Sequence, residues 1–216
     1  MTEHTSKKFD AELEGIRTRV LQMGGMVELQ IVKAMEGLGG GDLLLIDQVI
    51  ENDNRVNLLE IELDEACNQV IAKRQPTAVD LRMVSTVQKT ITDLERIGDE
   101  AKKIAKTAKQ LHTATSPFMP QIRLSHIADA VVDMLRTALD AYARLDTIAA
   151  AQVVRQDKEV DAEFKGIMRQ LITYMIEDPR TISQAIELMF VAKSVERIGD
   201  HAKNIAEYVV YMVKGR

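Results

Sequence analysis

The chain of 216 residues is 46% hydrophobic and 28% charged, with a net charge of −5, four Phe, four Tyr and no Trp. So few rings argue against a β-sandwich or barrel, whose strands draw on aromatic and β-branched residues. The acidic balance argues against a general nucleic-acid binder, which would present a basic face. The single cysteine, Cys67, can form neither an internal disulfide nor a CxxC metal site, so a reducing cytoplasm is expected. Residues 1–8 are polar, unlike a signal peptide. The longest apolar run, residues 208–213, is far short of the ~20 needed to span a bilayer.

Apolar residues recur at helical spacing almost from end to end. Leu13, Ile16, Val20, Met23, Val27, Ile31, Ala34 and Leu38 advance by threes and fours, keeping to one face of a first helix. Gly39-Gly40-Gly41-Asp42 stops it, with Asp42 placed to cap a second helix over residues 43–73, whose seam includes Val49, Val56, Leu63 and Val70. Gln75-Pro76-Thr77 breaks that helix, and Pro suits the entry of a third. The third carries Val84, Val87, Ile91, Leu94, Gly98, Ala101, Ala105 and Ala108 before a linker by composition, residues 113–120. Ile127, Val131, Met134, Ala138, Ala141 and Leu145 then predict a fourth helix, Asp146 caps a fifth, and Asp178-Pro179-Arg180 separates a sixth.

The second half copies the first. Residues 95–105 and 196–206 are identical except at Glu100/His201 and Lys103/Asn204, and residues 49–57 are echoed by 153–161. The economical architecture is all-α: two tandem, duplicated three-helix bundles of six long helices, over residues 6–112 and 121–214. Helices of about 30 residues would be roughly 45 Å long, making each bundle a rod. Gly98 and Gly199 each cost about 1 kcal/mol in a helix relative to Ala, so their matched placement predicts a close helix contact.

The chemistry-bearing candidates are acidic. Glu95/Asp99 and Glu196/Asp200 stand four residues apart, each pair on one helical face. Asp53/Asn57 and Asp157/Asp161 repeat the spacing on the second and fifth helices. Counted from the apolar seam, all are expected on the outward side, where acids are usually plain solvated surface. Matched copies in both halves raise a second reading, oxygen-rich sites for hard cations such as Mg²⁺, Mn²⁺, Ca²⁺ or Fe³⁺. His201 is read as a surface histidine and Cys67 as a packing residue. No phosphate loop, dinucleotide fingerprint or nucleophile elbow occurs, so neither an enzyme nor an organic cofactor is expected. The alternative, a carboxylate-bridged metalloenzyme on a helical bundle, lacks the Glu-x-x-His pairs that such sites use.

Residues 23–28 (Met-Gly-Gly-Met-Val-Glu), residues 72–77 (Ala-Lys-Arg-Gln-Pro-Thr) and the paired Glu-Arg-Ile-Gly-Asp blocks at 95–99 and 196–200 resemble the PhoU family. The likeness runs from about Phe9 to Lys214. It implies a cytoplasmic negative regulator of the phosphate-starvation (Pho) regulon that modulates phosphate uptake. Such a protein links the phosphate ABC transporter, through its ATPase subunit, to a phosphate-sensing histidine kinase. The resemblance further implies a homodimer, peripheral at the inner membrane through those partners, with no nucleic acid bound. It also implies metal binding through Glu/Asp-x-x-x-Asp motifs, which fall here on Glu95 and Asp99, Glu196 and Asp200, Asp157 and Asp161, and Asp53 opposite Asn57. Asn57 departs from the motif, since a neutral amide ligates more weakly than a carboxylate.

Overall fold

The computed structural model describes residues 2–114 and 120–215, with side chains from residue 9 onward. Its elements are α1 (Thr2–Gly40), α2 (Leu43–Arg74), α3 (Ala78–Thr113), α4 (Ser125–Arg144), α5 (Thr147–Glu177), a short 3₁₀ turn (Pro179–Thr181) and α6 (Ile182–Lys214). Most of the linker expected over 113–120 lies outside the described residues.

Punctuation follows the sequence closely. Gly41 ends α1 with φ +68°, and Asp42 caps α2 by accepting from the amides of Leu44 and Leu45. Asp146 does the same for α5 through Ile148 and Ala149. Leu145, expected on the seam of α4, instead turns the chain with φ +56° and is half out in solvent. At 20 residues α4 is the exception to the expected length, about 30 Å against the roughly 45 Å of its neighbours.

The eight seam residues of α1 are all buried, as are the eight of α3. Ion pairs set the directions. Glu12 meets Arg74, and Lys109 meets Asp47, so α2 runs antiparallel to both α1 and α3. His126 on Glu163 and Lys203 on Asp157 give α5 the same relation to α4 and α6. The two bundles lie side by side rather than end to end, with α3 packed along α6 and α1 along α4. Both contacts are antiparallel: Glu100 faces Arg197 while Asp93 faces His201, and Arg17 donates to the carbonyl of Ala143 while Glu28 pairs with Arg136.

The α3–α6 seam corrects the reading of His201 as a surface residue. Its side chain is 13% exposed, and its Nδ1 stands 2.6 Å from Oδ1 of the buried Asp93. Asn204 donates to the same oxygen at 3.2 Å. Burial and the hydrogen bond to Asp93 push the Tyr208 phenol up to about 12. The partner of His201 lies 108 positions away, beyond the reach of any local pattern.

The glycine expectation holds. A Cβ on Gly199 would stand 3.3 Å from Val131 Cγ1 and 3.5 Å from Val160 Cγ1, whereas one on Gly39 would meet nothing within 4 Å. Gly199→Leu is therefore expected to destabilise the chain by about 1–3 kcal/mol through overpacking, while Gly39→Ala leaves the melting temperature nearly unchanged. Urea melts of both variants check the pair.

Candidate functional site

Asp53 belongs to the seam it was expected to avoid. Val49, Asp53 and Val56 stand at i, i+4 and i+7, one continuous helical stripe, and Val153, Asp157 and Val160 repeat it. Asp53 is 0% exposed and Asp157 6%, which overturns the outward placement of both. A buried carboxylate needs a partner, and the third helix of each bundle supplies one. The ammonium of Lys102 lies 2.6 Å from Asp53 Oδ2. Lys203 lies 2.7 Å from Asp157 Oδ2.

In the first bundle the expected residues do converge, around that lysine. Asn57 Nδ2 reaches Asp53 Oδ2 at 3.5 Å. The Lys102 pKa is raised, first by its hydrogen bond to Asp53 and then by the charges of Asp53, Asp99 and Glu95. The Glu95 carboxyl is also pushed up, first by burial and then by the negative charges of Asp99, Glu60 and Asp53. In the second bundle Lys203 answers to Asp157, with Asp200 at 3.9 Å. Glu196, expected on the outer face, has a side chain only 12% exposed and turns to Lys193. Asp161 is half-buried on α5.

As arranged, an ammonium bonds one oxygen of each buried aspartate, Oδ2 of Asp53 and Oδ2 of Asp157, while Asp53 Oδ1 has no hydrogen-bond partner among the described residues. Among the described residues no group of three or more His, Cys, Asp or Glu side chains is placed to hold a metal ion. The residues that sequence reasoning missed are Lys102 and Lys203. The signal was present, since a lysine stands three positions after Asp99 and after Asp200 in the two copies of the repeated block. Cys67 is buried as expected, its thiol pushed up to about 12 by burial and the charge of Asp64, which disfavours the thiolate.

A family model described as the PhoU domain matches residues 20–108 and again 124–209. The chain belongs to the PhoU family. The phosphate-specific transport system accessory protein PhoU of Escherichia coli (strain K12) is 48% identical over 217 residues, covering 100% of this chain and 89% of that protein. The PhoU homolog of Pseudomonas putida is 46% identical over 215 residues, covering 100% and 84%. The crystal structure of PhoU from Pseudomonas aeruginosa superposes with a TM-score of 0.92 at 46% identity, covering 96% of this chain and 100% of that one. That of the phosphate transport system regulatory protein PhoU from Streptococcus pneumoniae gives 0.89 at 24% identity, covering 96% and 98%, a likeness of fold. These relatives are named as transport or regulatory proteins, and the metalloenzyme alternative finds no support among them.

Glu95 gives a pH test. A carboxyl whose folded pKa is raised above the ordinary 4.5 makes the native state bind the extra proton, so its charge costs stability above that window and costs nothing below it. Glu95→Gln is therefore expected to raise the melting temperature at pH 7. The gain should vanish as the pH falls below about 4.5, and paired thermal melts across that range decide it.

Proposed function

We propose that the chain is the accessory protein of a phosphate-specific transport system and a negative regulator of the phosphate-starvation regulon. In this reading it is a cytoplasmic adaptor, not an enzyme, that binds the ATPase subunit of the phosphate ABC transporter and a phosphate-sensing histidine kinase. The observation that carries the reading is the match over the whole of this chain, at 46–48% identity, to proteins named as phosphate-specific transport system accessory proteins. Two features support it physically. No helix among the described residues is long and apolar enough to cross a membrane, which suits a membrane link made through partners. The side-by-side bundles also expose elongated, non-equivalent surfaces, with Leu58 and Ile61 outward on one and Ile186 and Phe190 outward on the other.

An adaptor acts by occupancy, because binding shifts a two-state equilibrium only by its differential affinity for the states. Deleting the protein is expected to leave phosphate-regulated genes on in high phosphate. Restoring it under a titratable promoter should repress in proportion to its copy number relative to the kinase and transporter. Repression that saturates at trace amounts would point to catalysis instead. Size-exclusion chromatography with light scattering tests the homodimer that the reading includes.

Metal binding at Glu95, Asp99, Asp53, Asn57, Glu196, Asp200, Asp157 and Asp161 is a separate proposal. Its support is the crowding of negative charge around Glu95, which a hard cation would relieve once Lys102 leaves Asp53. Elemental analysis of tag-free protein exchanged into Mg²⁺, Mn²⁺ or Fe³⁺ is expected to show metal that Glu196→Ala with Asp200→Ala removes from the second bundle. Helical content should survive, since Asp200 is about half exposed and Glu196, though largely buried, pairs with Lys193 of its own helix. Metal content that is nil, or unaffected by the double substitution, removes the proposal.

A further inference from the structure

The duplicated halves carry the same helix crossing and fill it differently. In the second bundle the bare face of Gly199 meets Val131 of α4 and Val160 of α5. In the first, Gly98 meets the matching Val56 of α2, but from α1 it meets Gln30, whose Oε1 lies 3.2 Å from where a Cβ would stand. Gln30 is 4% exposed. Neither its amide oxygen nor its amide nitrogen has a hydrogen-bond partner among the described residues. An unpaired buried amide is costly, and the duplicate half has the apolar Met134 at the equivalent position, also against its glycine.

Gln30 borders a cavity of about 140 Å³ between α1 and α2, with Lys33, Asn52 and Arg55 around it and Met26 and Val49 as apolar walls. Among the described residues neither Lys33 nor Arg55 has an ion-pair partner. In the second bundle, aligned through the caps Asp42 and Asp146, the equivalent positions are Met134 for Gln30, Thr137 for Lys33 and Glu159 for Arg55. The molecule thus contains its own control, an equivalent crossing without the amide and without the cations. Asp53, whose Oδ1 faces Gly98 beside Gln30 without a hydrogen-bond partner among the described residues, has its charge balanced by Lys102 at Oδ2, which leaves the charges of Lys33 and Arg55.

We propose that this cavity binds a protonated tetrahedral oxyanion, hydrogen phosphate in kind. Lys33 and Arg55 supply the charge, and Arg55 can offer a two-pronged donor. Gln30 supplies selectivity, because an amide both donates and accepts. Its oxygen takes the P–OH proton that hydrogen phosphate carries and sulfate lacks. The volume suits one such ion and excludes a nucleotide. The site does not depend on the adaptor reading, since an adaptor and a plain scaffold could both hold it.

The test is calorimetric titration of the full chain with inorganic phosphate and, at matched ionic strength, with sulfate, alongside thermal melts. One saturable phosphate site is expected, with sulfate about tenfold weaker, as suits the loss of one charge-assisted hydrogen bond. Phosphate should also raise the melting temperature. Gln30→Met and Arg55→Glu install the residues of the second bundle. Gln30→Met should melt no lower than the parent without phosphate and should lose the phosphate response. Arg55→Glu, at an exposed position, should abolish binding with the fold intact. No saturation up to roughly 10 mM phosphate, or binding undiminished in Arg55→Glu, would overturn the proposal. Equal affinity for sulfate would overturn the role given to Gln30.

Discussion

The carboxylates of Asp53 and Asp157 are withdrawn from water in the interior of the bundles, and the register of the helices follows from how they are neutralised. A lone buried carboxylate is untenable, and removing one partner of such a pair costs about 3–5 kcal/mol. Lys102 and Lys203 therefore have to arrive opposite them, which ties the sliding position of the third helix of each bundle to that of the second. Gly98 and Gly199 sit one helical turn before those lysines, where Val56 of α2 and Val160 of α5 pack against their bare faces. Small residue and ion pair act together: the first lets the helices approach, and the second fixes where along their length they do so.

Much of this fold was legible in order and spacing. The seams of α1 and α3, the caps at Asp42 and Asp146, and the duplication all follow from local chemistry that a single chain segment displays. The short α4 was less legible, because Leu145 continues the apolar spacing and nothing local announces that it turns the chain. The placement of the acids failed for a physical reason. Asp53 was judged by its charge, although its position between Val49 and Val56 put it on the seam, and only a lysine from another helix makes that position tolerable. His201 failed for want of range, since its environment is made by Asp93 of the other bundle.

The two bundles are copies in backbone and not in chemistry. Where α3 and α6 meet, one end of the seam holds Asp93, His201 and Asn204, and the other holds Glu100 with Lys103 and Arg197. Two of these, Glu100/His201 and Lys103/Asn204, are the positions at which the repeated blocks differ. The duplicated sequence has diverged where its halves face each other, so each bundle is complementary to the other rather than to itself.

That complementarity bears on how the chain assembles. Each bundle closes through neighbours in sequence, α1 on α2 and α2 on α3, contacts of short loop span that form quickly. The α3–α6 seam joins residues more than a hundred positions apart, and its polar core is satisfied only when both faces are in place. Two fragments made by severing the chain between residues 114 and 120 would still carry the matched faces. They are built to recognise each other without the peptide that joins them, as the pieces of a split protein do.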